Sequence, residues 1–163
     1  MPHDWMMGEI PEFSEQDDDV TDDPFGESDE DIDAEGGLAY EKDGTFALLR
    51  RTTLGWSNVY AAVLAPDQRP VALRALYHLG RSLGSLAYTL EETDEERAAA
   101  GIAFLKRALQ HLNAALGDLA ELGQDTGRQK RLIGTIRGYL LKVREGLLNH
   151  LQQYRAALNN SDG

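Results

Sequence analysis

Residues 101–123, GIAFLKRALQHLNAALGDLAELG, decide the fold class of this chain. Apolar residues recur there at alternating steps of three and four, at Ile102, Leu105, Leu109, Leu112, Leu116 and Leu119. That spacing places one apolar seam along a helix and is typical of helices that pack against other helices. Thr93 and Glu96 predict a capping box before this helix, and Gly123 predicts its end.

Three further segments have helical spacing, from about Thr45 to Leu64, from Pro70 onward, and from about Thr126 to Leu158. Their predicted seams are Leu49, Trp56, Val59, Tyr60 and Val63; Leu73, Leu76, Leu79, Leu83, Leu86 and Leu90; and Ile133, Ile136, Leu140, Val143, Leu147, Leu151, Tyr154 and Leu158. The connections near 91–93 and 123–125 are short, and short links place successive helices antiparallel. The sequence therefore predicts an all-α fold, an up-down antiparallel four-helix bundle.

Two local features inside these segments allow more than one structure. Asp43-Gly44 is compatible with a hairpin turn, but the chain offers no other strand for a hairpin to pair with, so we expect a helix start. Two G-x-x-x-G pairs, Gly80/Gly84 and Gly134/Gly138, lie inside predicted helices. We expect them to permit close backbone approach at a helix crossing.

The charge of the chain is segregated along its length. Residues 1–36 contain fifteen of the 28 acidic residues and none of the 16 basic residues. The remainder therefore has a formal charge of +3, although the whole chain has −12. Dense like charge opposes collapse, so we predict a disordered acidic tail over 1–37 and a helical bundle domain over 38–163.

Scattered aromatic and aliphatic residues interrupt the acidic tail. Trp5, Ile10, Phe13 and Phe25 are the candidate partner-binding residues, because apolar residues in an acidic coil can dock in a groove and fold on binding. The alternative is a solubilising leader in which these residues have no partner.

The fourth helix concentrates the basic residues. The candidate anion-binding residues are Arg128, Lys130, Arg131, Arg137, Lys142 and Arg144. Glu145 is the only acid between 126 and 155, where Arg155 adds a further base. This surface is either an ordinary solvated face or a docking surface for nucleic acid, for an acidic partner, or for the chain's own tail.

A duplicated segment places two histidines at equivalent positions. Arg74–Ala87 and Arg107–Ala120 agree at nine of fourteen positions with an offset of 33, so His78 and His111 correspond. Each histidine precedes a seam leucine, so we expect both to be partly buried structural residues. With no cysteine and no Glu-x-x-His pair, we expect no metal site and no cofactor.

One pattern on the fourth helix resembles a known enzyme class. Arg144-Glu-Gly-Leu-Leu-Asn-His150 is similar in spacing to the Arg and His of all-helical ribonucleases of the HEPN class. That resemblance implies that Arg144 stabilises phosphate charge and that His150 transfers a proton.

Taken together, these features favour a non-enzymatic protein-interaction or regulatory module with an acidic docking or autoinhibitory tail. A HEPN-like ribonuclease and a nucleic-acid-binding bundle masked by its tail are the alternatives. The N-terminus lacks the features of a secretory signal, and no apolar run reaches the roughly 18 residues of a membrane span. We expect a soluble cytoplasmic protein with a protein partner and no membrane contact.

Overall fold

The computed structural model describes residues 39–91, 97–123 and 127–161. Four long helices are present: α1 (Gly44–Val63), α2 (Arg69–Glu91), α3 (Ala98–Leu122) and α4 (Arg128–Ser161). Short 3₁₀ helices at Ala39–Lys42 and Pro66–Gln68 precede α1 and α2, and no strand occurs within the described ranges. No helix among these residues has the length and apolarity needed to cross a membrane. The predicted tail and the Thr93/Glu96 capping box lie outside the described residues.

The four helices form an up-down bundle. Each helix packs against the next one along the chain, and α1 also packs against α4, so the contacts close a ring. The α2–α3 contact is the most extensive. Its antiparallel direction follows from its hydrogen bonds: the Ser82 hydroxyl donates to the Ala108 carbonyl at 2.8 Å, and Thr89 donates to the Gly101 carbonyl at 3.4 Å. The predicted fold class is confirmed.

Asp43 begins α1 as its N-cap. Its Oδ1 accepts a hydrogen bond from the Phe46 N–H at 2.9 Å, satisfying a backbone donor that a helix start leaves without a partner. The preceding 3₁₀ helix places Tyr40 edge-on to buried Phe46, with ring centroids 4.9 Å apart. Asp43-Gly44 is therefore a helix start, and the hairpin alternative is wrong.

The core follows the predicted seam closely in α4 and less closely in α2. The α4 residues Ile133, Ile136, Leu140, Val143, Leu147 and Leu151 are all buried. In α2 the buried positions include Ala72, Ala75 and Leu79, whereas Leu73 is 49% exposed. The indole Nε1–H of Trp56 in α1 donates to the Ala72 carbonyl at 3.0 Å, so this part of α2 packs closely against α1 with small side chains on its buried face. Including Leu73 in the seam was wrong.

The G-x-x-x-G glycines do not mediate crossings within the described bundle. A Cβ added at Gly80, Gly84, Gly134 or Gly138 would meet nothing within 4 Å. The close approach occurs instead at Gly146 of α4, where an added Cβ would collide with the Thr45 side chain of α1. The expected role of the two glycine pairs inside the bundle was therefore wrong.

Candidate functional site

The outer face of α4 presents the predicted anion-binding residues to solvent. Arg128, Lys130, Arg131, Arg137, Lys142 and Arg144 are all exposed. Lys130, Arg137 and Arg144 recur every seven residues and so lie along one line of the helix. Leu141 and Leu148 belong to the same line and are 46% and 43% exposed. We call Lys130, Arg137, Leu141, Arg144 and Leu148 the α4 stripe.

The bases of the α4 stripe have no acidic partner in the described part of the chain. No ion pair is formed by Lys130, Arg137 or Arg144. Gly134 and Gly138 lie between them with open space above, so the stripe is accessible along its length. An uncompensated row of bases interrupted by exposed leucines favours an anionic segment that also carries apolar side chains.

His150 lies on another flank of α4, in an ion pair with the N-cap of α1. Its Nε2 is 2.8 Å from Oδ2 of Asp43, and both side chains are less than one-fifth exposed. The hydrogen bond to Asp43 raises the pKa of His150 against the opposing effect of burial. Burial alone would raise the pKa of Asp43, but the hydrogen bonds from His150 and from the Phe46 N–H lower it overall.

Tyr154 extends this contact to the other two helices. Its hydroxyl donates to the Thr89 carbonyl of α2 at 3.1 Å, and its ring contacts the position where a Cβ of Gly101 would stand. Burial, followed by the nearby Asp43 carboxylate, raises the pKa of Tyr154. Asp43, His150 and Tyr154 thus tie α1, α4, α2 and α3 together at one end of the bundle.

Arg144 and His150 do not meet in an obvious catalytic arrangement. Six residues turn a helix by about 240°, so the two side chains leave α4 from different flanks. Arg144 is exposed, whereas the Nε2 of His150 is occupied by Asp43.

His78 and His111 meet across the α2–α3 contact. Their Nδ1 atoms are 3.0 Å apart, so one ring donates its proton to the other. Tyr77 lies edge-on to both rings, with centroids 5.3 Å from His78 and 6.2 Å from His111. Both histidines are partly buried, as predicted, and burial is the first cause that lowers the pKa of His111.

The three body histidines therefore do not converge on one point. His78 pairs with His111, and His150 pairs with Asp43. Among the described residues, no group of three or more histidine, aspartate or glutamate side chains could hold a metal ion. The predicted partner-binding residues Trp5, Ile10, Phe13 and Phe25 lie outside the described residues.

Two contacts were missed by sequence reasoning. The partnership of Asp43 with His150 joins distant parts of the chain and has no local signal. The His78–His111 pair did have one, because two equivalent segments packed antiparallel bring their matching positions together around a local two-fold axis.

Comparison with known proteins assigns this chain to no family. No protein-family model, characterised protein or solved structure matches the chain.

Proposed function

We propose that this chain is a non-enzymatic interaction module whose α4 stripe binds an acidic polypeptide segment. In the free protein, the chain's own residues 1–36 bind the stripe and act as an autoinhibitory tail. An acidic partner then displaces this tail from the stripe. The observation that carries the proposal is the row of exposed, uncompensated bases and leucines on α4. We place the protein in the cytoplasm, with no cofactor.

Charge and composition support this pairing. Residues 1–36 contain fifteen acids and no base, and the apolar residues Trp5, Ile10 and Phe13 lie among them. The stripe offers the complement, bases alternating with exposed leucines. Exposed ion pairs each contribute only a fraction of a kilocalorie, so the contact depends on many weak pairs and on high effective concentration.

The point at which the described residues begin lies near α4. The described residues start at Ala39, close to Asp43 and therefore to His150 of α4. The coil predicted for residues 1–37 would have an r.m.s. reach of roughly 30–35 Å. The helix from Leu148 back to Lys130 measures about 27 Å, so the tail can follow the whole stripe.

Two alternatives remain as hypotheses beside this one. The same bases would serve as phosphate contacts for a nucleic acid once the tail is displaced. A HEPN-like ribonuclease would require Arg144 and His150 to act on one phosphate, and the pairing of His150 with Asp43 makes this the weaker proposal.

Zero-length carbodiimide cross-linking of the full chain tests the tail contact. The reagent joins carboxylates to lysine amines in direct contact, and the four lysines are Lys42, Lys106, Lys130 and Lys142, all exposed. We expect cross-links from acidic residues between 4 and 35 to Lys130, the lysine of the α4 stripe. Lys106 of α3 and Lys142 of α4 are the matched controls, because both are exposed but lie off the stripe.

The cross-links to α4 should disappear at high salt, because exposed ion pairs are screened. They should also weaken at Lys130 when Arg137 and Arg144 are replaced by Gln. Equal cross-linking of Lys106 and Lys130 would show that the tail has no preferred surface and would contradict the proposal.

A further inference from the structure

The duplicated segments form a hairpin with a local two-fold axis between His78 and His111. Because α2 and α3 are antiparallel, residues of Arg74–Ala87 on one side of the axis correspond to residues of Arg107–Ala120 on the other. Each contact in one half of the hairpin therefore has a counterpart position in the other half. The differences between the halves show which groups lack a partner.

In the half of the hairpin that contains Arg74, carboxylates neutralise the arginine. Arg74 donates to Oδ1 of Asp118 from Nε at 2.9 Å, and its Nη2 lies 2.8 Å from the same oxygen and 3.3 Å from Glu121. Asp118, with Glu121 behind it, raises the pKa of Arg74. This half has one guanidinium and two carboxylates.

The half that contains Arg107 has no carboxylate to neutralise its arginine. Arg107 corresponds to Arg74, but Ser85 stands in the place of Asp118 and Tyr88 in the place of Glu121. Arg81 in turn stands where the first half has Ala114. Two guanidinium groups therefore flank the imidazole pair here, and neither forms an ion pair within the described residues.

Both guanidinium groups act on the His111 side of the imidazole pair. After burial and the His78 ring, Arg81 and Arg107 are the causes that lower the pKa of His111. The shared proton occupies the space between the Nδ1 atoms, so the neutral accepting ring carries its own proton on Nε2. That N–H and the two exposed guanidinium groups can each donate a hydrogen bond to an acceptor that approaches from outside the chain.

A stack of aromatic rings adjoins this cationic group. The Arg107 guanidinium lies over the Phe104 ring at 5.7 Å, and Phe104 stacks on Tyr88 with centroids 5.5 Å apart and planes 16° apart. Tyr88 is 60% exposed. Gly84 lies one turn before it with nothing above its backbone, so a planar ring can approach Tyr88 from outside.

We propose that Arg81, Arg107 and the His78–His111 pair bind the phosphate group of a nucleotide, whose base stacks on Tyr88. Guanidinium groups match phosphate oxygens with paired N–H donors, and an exposed aromatic face accepts any base. A metal ion fits less well, because the Nδ1 atoms point at each other and two cations lie beside them. This phosphate site is separate from the α4 stripe. The proposal for it does not depend on the function proposed for the stripe.

Calorimetric titration of the full chain with inorganic phosphate and with adenosine monophosphate tests this site. We expect both probes to bind at low salt, the nucleotide roughly fivefold or more tightly because of base stacking. Arg107→Gln should weaken both probes about tenfold or more, as expected for loss of a charge-assisted phosphate contact. Tyr88→Ala should reduce the affinity for the nucleotide to that for phosphate.

The hairpin supplies its own matched controls. Ser85→Asp introduces the carboxylate of the neutralised half beside Arg107 and should abolish binding, whereas Arg74→Gln should leave binding unchanged. The ¹³C-detected histidine signals of His78 and His111 should shift on saturation and that of His150 should not. The proposal would be overturned if neither probe binds at millimolar concentration. It would also be overturned if binding is unchanged in both Ser85→Asp and Arg107→Gln.

Discussion

Nε2 of His150 lies 2.8 Å from Oδ2 of Asp43, and this pair joins the first turn of α1 to the C-terminal half of α4. Asp43 uses its other carboxylate oxygen to cap α1, so one side chain both starts a helix and fixes its neighbour. The pair has a pH dependence that follows from the pKa of each partner.

We predict that this pair stabilises the bundle most between about pH 4 and pH 6.5. The pKa of His150 is raised above its usual 6.5, so its contribution is complete below that value and is lost as pH rises through the folded pKa. The pKa of Asp43 is lowered below its usual 3.8, so its contribution is lost as pH falls through the folded value. A double-mutant cycle of Asp43→Asn and His150→Gln, measured by urea unfolding, should give a coupling of about 1–3 kcal/mol near pH 5.5.

The coupling should shrink at alkaline pH to that of the hydrogen bond that a neutral imidazole still donates to the carboxylate. Asn remains a good N-cap, so the cycle separates the ion pair from the cap. A coupling that is equal at pH 5.5 and in alkaline buffer would show that the pair is not charged in the folded protein.

Leu112 and Leu109 of α3 should differ in their contributions to stability. Both belong to the predicted seam, but Leu112 is fully buried and Leu109 is only partly buried. Leu112→Ala should cost about 2–5 kcal/mol of unfolding free energy, and Leu109→Ala clearly less. Chemical denaturation of the two variants measures the difference, and equal losses would contradict the burial described.

Two glycines of α4 should respond to alanine in opposite directions. A Cβ at Gly138 meets nothing within 4 Å, so Gly138→Ala should stabilise the helix by up to about 1 kcal/mol. At Gly146 the new Cβ would collide with Thr45, so Gly146→Ala should destabilise the bundle. Thermal unfolding of the pair provides the comparison, and a stabilised Gly146→Ala would show that α1 and α4 are farther apart.

The resemblance to HEPN ribonucleases also makes a testable claim. We expect the wild-type chain to cleave no RNA in divalent-free buffer, because the Nε2 of His150 is held by Asp43. If cleavage occurs and His150→Ala abolishes it without unfolding the protein, the enzyme hypothesis replaces the interaction module.

The sequence predicted the bundle because its longest segments carry strong periodic signals. In α4 the residues from Ile133 to Leu151 keep one apolar line, and all of the predicted core positions in that stretch are buried. In α2 leucines occur on several flanks, so periodicity alone could not show that Ala72 and Ala75 are buried while Leu73 is exposed. Side-chain size at the contact decides this, and it depends on the partner helix.

The candidate sites were predictable only where the signal is local. The exposed bases of α4 follow from composition and spacing along one helix. The neutralisation of Arg74 by Asp118 and the absence of a carboxylate at Arg107 depend on how two helices align. The duplication contained that information, but its use requires the antiparallel register that the structure provides.

The most direct test of the interaction module is polyanion binding with and without the tail. Deleting residues 1–36 changes the formal charge from −12 to +3 and leaves every described residue in place. Fluorescence anisotropy with a labelled oligothymidylate at low salt, after circular dichroism confirms the helical fold, should show tighter binding by the truncated chain. Binding should fall steeply with salt through counterion release, and it should be lost when Lys130, Arg137 and Arg144 are replaced by Gln. Equal binding by the full and truncated chains, or binding by neither, would contradict the claim that the acidic tail covers α4.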